Sequence, residues 1–168
     1  MMPAPHTNRT PSPRPSQKGE GDALQPSPQP RGRGQGEGAQ ESRRAPLDGV
    51  RILSVSQFGA GPFGTQVLAD LGAEIIKIED PGVGGDSSRY VPPYLAEQDS
   101  LYFQSFNRGK KSLTLNLRHP AGQAVLHDLV KVSDAVFNNA RGDLPAALGL
   151  TYEALKAVNP RIVCCSLT

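Results

Sequence analysis

The chain has 168 residues with 18 Lys or Arg against 16 Asp or Glu, a formal net charge of +2, and no Trp. Seven basic and four acidic side chains fall in residues 1–46 and eleven against twelve in the remainder, so the positive excess belongs to the amino-terminal part. No apolar run approaches the roughly 18 residues of a membrane span and no signal-peptide core follows the first Met, so the expectation is a cytoplasmic protein with no membrane partner.

Residues 1–45 are read as a disordered Pro/Gly/Ser-rich extension. Nine of the 16 prolines and six of the 18 glycines lie within residues 1–46, which contain a single Leu and no Val, Ile, Phe or Tyr. Too little apolar surface exists there to offset the entropy of ordering. Charges of both signs are interspersed without aromatics for stacking, which argues against a nucleic-acid arm. Glu20, Asp22, Glu37 and Glu41 argue against a transit peptide.

From position 46 the pattern changes to strand and helix in alternation. VRILSVS reads as a strand, FGAGPFG as a glycine turn, TQVLADLG as a helix and AEIIKIE as a second, β-branched strand. Pro62 suits the first helical turn. Phe63, Val67 and Leu71 recur at i, i+4 and i+8 with Leu68 beside them, the stripe of an amphipathic helix, and Gly72 is its left-handed cap. A loop rich in turn formers follows from Asp80 to Ser100, long enough to suggest function. A basic turn, Arg108 to Lys111, leads into a strand near 112–117, where Ser112, Thr114 and Asn116 alternate with Leu113, Leu115 and Leu117.

Pro120 opens a second helix with an apolar stripe at Ala124, Val125, Leu129 and Val132. DAVFNN is the next strand, LPAALG and YEALKAV are short helices with Thr151 capping the second, and Asn159-Pro160 precedes a final buried strand, RIVCCSL. Cys164 and Cys165 are adjacent, so alternation sends them to opposite faces. That suits buried small hydrophobes and neither a metal site nor a disulfide. Repeated β-α-β crossovers predict an α/β fold, a Rossmann-like parallel sheet with flanking helices.

Two strings bear on chemistry. Gly59, Gly61 and Gly64 spell G-x-G-x-x-G after the first strand, and Glu79 ends the second strand 20 residues after Gly59, the spacing of a dinucleotide fingerprint. Taken literally it implies an NAD-dependent oxidoreductase. Pro62 removes a donor from such a cradle, and the long loop after Glu79 replaces the short connection that fold ordinarily has. A turn of small residues at a helix N-terminus suits any anion or nucleotide that approaches the backbone closely. The second string, FNRGKKSLTLNLRHPAG, brings Arg108, Lys110, Lys111 and Arg118 within eleven residues, a cluster of the type that binds phosphates. Asp134 and Asp143 read as strand-head and helix-cap residues, His119 and His127 as turn and helix-surface residues.

Four strings together resemble the family III CoA-transferases, which include formyl-CoA transferase, carnitine CoA-transferase and the related 2-methylacyl-CoA racemases. They are PLDGVRIL at 46–53, GAGPFGTQVLADLGAEIIKIEDPG at 59–82, SLYFQSFNRGKKSLTLNL at 100–117 and LGLTYEALKAVNPRIVCCSL at 148–167. The resemblance implies that residues 46–168 are the N-terminal part of an interlocked-dimer fold whose full protein moves coenzyme A between an acyl-CoA donor and a carboxylic acid acceptor. It implies that Gly59 and Ala60 line the CoA site, that Leu115, Asn116, Leu117 and Arg118 meet the coenzyme, and that Asn139, Ala140 and Arg141 form a further wall. Asp80 and Ala147 stand where relatives carry arginines, and Arg141 and Arg108 are candidate replacements. The family's nucleophile is an aspartate implied to lie beyond Thr168, so no residue here is expected to be catalytic, and no metal is expected. A racemase of the same superfamily, or an inactive remnant that binds CoA, would keep these strings.

Overall fold

The computed structural model describes residues 44–95 and 99–168. Most of the extension read as disordered, residues 1–43, lies outside them. The observed elements are β1 (Arg51–Val55), α1 (Ala60–Asp70), β2 (Glu74–Glu79), β3 (Tyr94–Leu95), β4 (Asp99–Ser100), α2 (Leu101–Asn107), β5 (Lys110–Thr114), α3 (Pro120–Lys131), β6 (Ala135–Asn138), α4 (Leu144–Ala147), α5 (Tyr152–Leu155) and β7 (Val163–Ser166). Two 3-10 turns, Pro81–Val83 and Ser87–Tyr90, structure the loop after β2.

Five strands form one parallel sheet in the order β5-β2-β1-β6-β7, while β3 and β4 pair antiparallel on their own. The chain winds outward from β1 through β2 to β5, then returns to lay β6 against the other side of β1. That is the doubly wound α/β arrangement, as the alternating pattern predicts.

Period-two alternation divides the side chains between two faces. Leu53, Ile78 and Val136 point to the α3 side and pack with Leu126, Val130, Leu150, Leu155 and Ile162. Ile52 and Ile75 point to the α1 side, where Leu68, Ala69 and Phe137 join them.

Several elements depart from expectation. The apolar stripe of α1 faces outward, with Phe63 54% and Val67 43% exposed, while the helix buries Gly61, Pro62, Thr65 and Gln66. Its bed on the sheet is polar at that end, containing Ser54, Ser56 and Lys77, so a polar underside fits it. On α3 the buried positions are Gly122, Leu126 and Val130, whereas Ala124, Val125 and Val132 are exposed. A Cβ on Gly122 would stand 1.9 Å from the Asn116 carbonyl oxygen, so glycine permits that close contact and fixes the phase of the helix. Strand β5 begins two residues earlier than expected and ends at Thr114. The final strand is not buried: among the described residues β7 pairs only with β6, and Val163 and Cys165 are exposed with Cys164 half-buried. Helix α2 has no counterpart among the expected elements; Ser100 caps it by accepting from the Phe103 N–H at 3.1 Å.

Candidate functional site

Because all five strands run the same way, their carboxyl ends open on one edge of the sheet, and the order reverses between β1 and β6. Ligands of doubly wound folds sit outside that edge, at the reversal. Gly59 is the N-cap residue of α1 and Ala60 its first residue, so the unpaired N–H groups of the first turn face this edge with the positive end of the helix dipole.

The turn before them is held by side chains from three other segments. Lys77 Nζ donates to the Ser56 carbonyl at 2.5 Å, and Asp86 Oδ1 accepts from the Phe58 N–H at 2.8 Å. Asn139 Oδ1 accepts from the Gln57 N–H and Asn139 Nδ2 donates to the Gln57 carbonyl, both at 3.0 Å. Phe58 has φ of 69°, in the left-handed region that side chains other than glycine rarely occupy.

The structure therefore brings Asn139 to the turn that carries Gly59 and Ala60, with the Asn139 amide spent on Gln57. Ala140 follows, its N–H donating to Asn138 Oδ1 at 3.3 Å, and Arg141 lies exposed beside it. Leu115 to Arg118 leave the carboxyl end of β5, one strand beyond β2. Leu115 N–H donates to the Glu79 carbonyl and Asn116 Oδ1 accepts from the Arg118 N–H, while Leu117 is in the core and Arg118 is exposed. Gln123 ties this segment to α4 by donating to the carbonyls of Leu117 and Leu148.

The four clustered cations do not converge. Lys110 and Lys111 sit at the amino end of β5 and point to opposite faces, whereas Arg118 lies past its carboxyl end. Lys111 pairs with Glu74 and Arg108 with Asp70, each at 2.5 Å on the surface. Lys110 is partly buried and donates to the Pro62 carbonyl at 2.7 Å. Burial first, and repulsion from Lys77 second, push its pKa down to about 7, against a smaller opposing pull from Asp86. Asp80 caps the first 3-10 turn, accepting from the Gly82 N–H at 2.8 Å. Asp134 accepts from the Arg51 N–H and His119 caps α3 by accepting from the Ala121 N–H, structural roles as expected.

A buried polar layer under α1 and α2 is what the sequence reading missed. Lys77 and Asp86, with side chains 1% and 0% exposed, form an ion pair at 2.6 Å. Beside them Glu79 accepts from Arg89 through both carboxylate oxygens, at 2.7 and 2.8 Å, and from the Asp86 N–H and the Ser112 hydroxyl. Burial would raise the Glu79 pKa, but the bonds from Arg89, Asp86 and Ser112 hold it at about 2. Burial likewise opposes ionisation of Asp86, and Lys77 with the Phe58 and Ser88 N–H groups overcomes it, leaving its pKa lowered. Phe103 closes the layer, with the Arg89 guanidinium 3.8 Å from its ring centre. The available signal was a Lys at an inward position between Ile75 and Glu79.

This layer argues against the literal dinucleotide reading. An acidic residue at the end of the second strand serves that fold by binding a ribose hydroxyl, yet both Glu79 oxygens are engaged by protein groups. The left-handed residue of the turn is Phe58 and not a glycine. Gly61 has a packing reason, since a Cβ there would stand 2.8 Å from both Ser56 Cβ and Asn139 Cγ.

A depression of about 400 Å³ lined by Lys131, Ser133, Asp134, Asn159 and Arg161 lies at the opposite, amino-terminal edge and is remote from these groups. Among the described residues, no helix is long and apolar enough to cross a membrane.

Strand order and parallel register together define a doubly wound α/β protein. Within that class the chain belongs to CoA-transferase family III, whose family model matches residues 47–168. It is 38% identical over 132 residues to a succinate–glutarate CoA-transferase of Agrobacterium fabrum, a match covering 76% of this chain and 33% of that one. It is 42% identical over 123 residues to the human succinyl-CoA:glutarate CoA-transferase, covering 73% and 28% respectively. The crystal structure of a CAIB/BAIF family protein from Brucella suis superposes with a TM-score of 0.68 at 38% identity, over 75% of this chain and 34% of that one. The chain thus spans about a third of the length of these relatives.

Proposed function

We propose that the protein is a cytoplasmic enzyme moving coenzyme A between an acyl-CoA donor and a carboxylic acid acceptor, and that residues 47–168 contribute part of the CoA site. The observation that carries this reading is family membership over that stretch. The engagement of Glu79 by Arg89, Ser112 and Asp86 supports it, because the rival nicotinamide reading needs that carboxylate for a ribose hydroxyl.

In this reading the N–H groups at the start of α1, at Gly59 and Ala60, meet an anionic part of the ligand. Leu115 to Arg118 and Asn139 to Arg141 flank it, with Arg118 and Arg141 as phosphate partners. An aspartyl carboxylate attacks the thioester carbonyl, and the carbon–sulfur bond breaks to release CoA thiolate and leave an acyl anhydride. No described residue is assigned to that step.

Titration calorimetry of the chain with CoA tests the proposal. Saturable CoA binding that NADH fails to displace is expected, and Arg141→Ala and Arg118→Ala each weaken it about tenfold, the scale of one lost charge-assisted contact. Saturable NADH binding that CoA cannot displace overturns the reading, and an unchanged affinity in Arg141→Ala removes that residue from the site. Homodimerisation belongs to the same proposal, and the outward stripe of Phe63, Val67 and Leu71 is an apolar face it would bury. Light scattering of the whole protein at twice its monomer mass is expected, and a monomer at all concentrations counts against it.

A further inference from the structure

We propose that Lys77, Asp86 and Asn139 form a three-point brace that presets the Ser56–Phe58 backbone, making them positioning residues for whatever ligand is held at Gly59 and Ala60. The identity of that ligand as CoA rests on the function proposed above; the brace itself does not.

Four consecutive backbone groups of the turn are involved: the Ser56 carbonyl, the Gln57 N–H, the Gln57 carbonyl and the Phe58 N–H. Each is bonded by a side chain, from Lys77, Asn139, Asn139 and Asp86 in turn. The three side chains come from β2, from the loop after β2 and from the end of β6, so the turn is fixed against both strands that neighbour β1.

Phe58 shows what the anchors achieve. Its left-handed φ of 69° is unfavourable for a residue with a Cβ and persists where surrounding bonds over-determine it. Asp86 is itself held, accepting from the Ser88 N–H and hydroxyl at 2.9 and 2.7 Å while its own N–H donates to Glu79 at 2.9 Å. The charges facing it are Lys77, in contact, and Lys110, close enough that Asp86 opposes the fall in its pKa.

With side chains 1% and 0% exposed, Lys77 and Asp86 do not reach a ligand outside the sheet edge. Any effect on binding must pass through the turn. A cradle whose donors point correctly before the ligand arrives avoids the cost of ordering them on binding.

Two variants of the full chain test this, Lys77→Met/Asp86→Ala, which removes both charges together, and Asn139→Ala, which touches only the rim. The readouts are amide hydrogen exchange residue by residue and CoA affinity by calorimetry. Exchange at Phe58 in the double variant, and at Gln57 in Asn139→Ala, is expected to rise at least 100-fold while Ile52 to Ser54 in β1 keep their protection. CoA affinity is expected to fall at least tenfold in both. Unchanged exchange at Gln57 and Phe58 overturns the brace, and a loosened turn with unchanged CoA affinity overturns its positioning role. If the double variant loses protection throughout β1, Asn139→Ala alone decides by the same two criteria. If the unaltered chain takes up no CoA, the proposed function fails, and the exchange rates still decide the brace.

Discussion

The two faces of the sheet are built on different principles. On the α3 side, Leu53, Ile78 and Val136 meet Leu126, Val130, Leu150 and Leu155 in a cluster made of apolar side chains. On the α1 side, apolar contact gathers around Ile52, Ile75 and Phe137, and towards the carboxyl edge β1 and β2 present Ser54, Lys77 and Glu79, with Ser56 just after β1. Apolar packing tolerates small shifts because it has no preferred direction. Directional bonds do not, and they lie on the face that leads to the glycine turn. Cohesion and geometric definition are thus divided between the two sides of one sheet.

The largest expected effect comes from splitting the buried ion pair. Lys77→Ala leaves the Asp86 carboxylate buried without its cation, a loss of about 3–5 kcal/mol, whereas Lys77→Met/Asp86→Ala leaves no buried charge unpaired and is expected to cost less than the single substitution. On the opposite face, Leu126→Ala opens a cavity under α3 and costs about 2–5 kcal/mol, with no second substitution able to rescue it by charge removal. Urea unfolding of the three variants checks both. Rescue on the α1 side without rescue on the α3 side is the signature of the division. A Lys77→Ala cost below 1 kcal/mol would show that the polar layer contributes little.

Acid sharpens the same contrast. Glu79 titrates at about 2 in the folded chain against an ordinary value of 4.5, so the folded state favours the ionised carboxylate. Its contribution of about 3 kcal/mol is complete above about pH 4.5 and is lost as the pH falls towards 2. Asp86, with its pKa also lowered, acts in the same direction. Unfolding free energy measured between pH 7 and pH 2.5 should fall steeply below pH 4.5, and Glu79→Gln should flatten that slope. Leu126→Ala should displace the curve without changing its shape.

How much of this was legible follows from the range of the interactions involved. Strand and helix alternation, the glycine turn and the caps at Gly72 and Thr151 depend on near neighbours in the chain, and the sequence pattern yields them. The polar layer joins Lys77 to Asp86 and Glu79 to Arg89 across a loop, and Ser112 to Glu79 across 33 residues, so no spacing rule exposes it. The basic cluster failed for a related reason. Nearness in sequence placed Lys110 and Arg118 together, but a strand carried them to opposite ends of β5. At the candidate site, the small-residue turn was readable, whereas the engagement of Asn139 with Gln57, 82 residues away, was not.

The smallest expected effect separates periodicity from packing on α3. Read by spacing, Ala124, Val125, Leu129 and Val132 form the inward stripe, which would make Val132 a core residue. In the folded chain Val132 is 58% exposed just after the helix, and the inward line runs through Gly122, Leu126 and Val130. The cause is local and steric: Gly122 must face the Asn116 carbonyl, because any other residue there would place a Cβ 1.9 Å from its oxygen. At 3.6 residues per turn, positions 122 and 130 lie about 40° either side of Leu126, whereas 125 and 132 lie about 100° and 120° away from it and stay outside. Val132→Thr should therefore change stability by less than about 0.5 kcal/mol, as exposed substitutions do. Gly122→Ala should cost several times more. Thermal unfolding of the two variants ranks them, and a Val132→Thr loss matching that of Leu126→Ala would restore the stripe read from spacing alone.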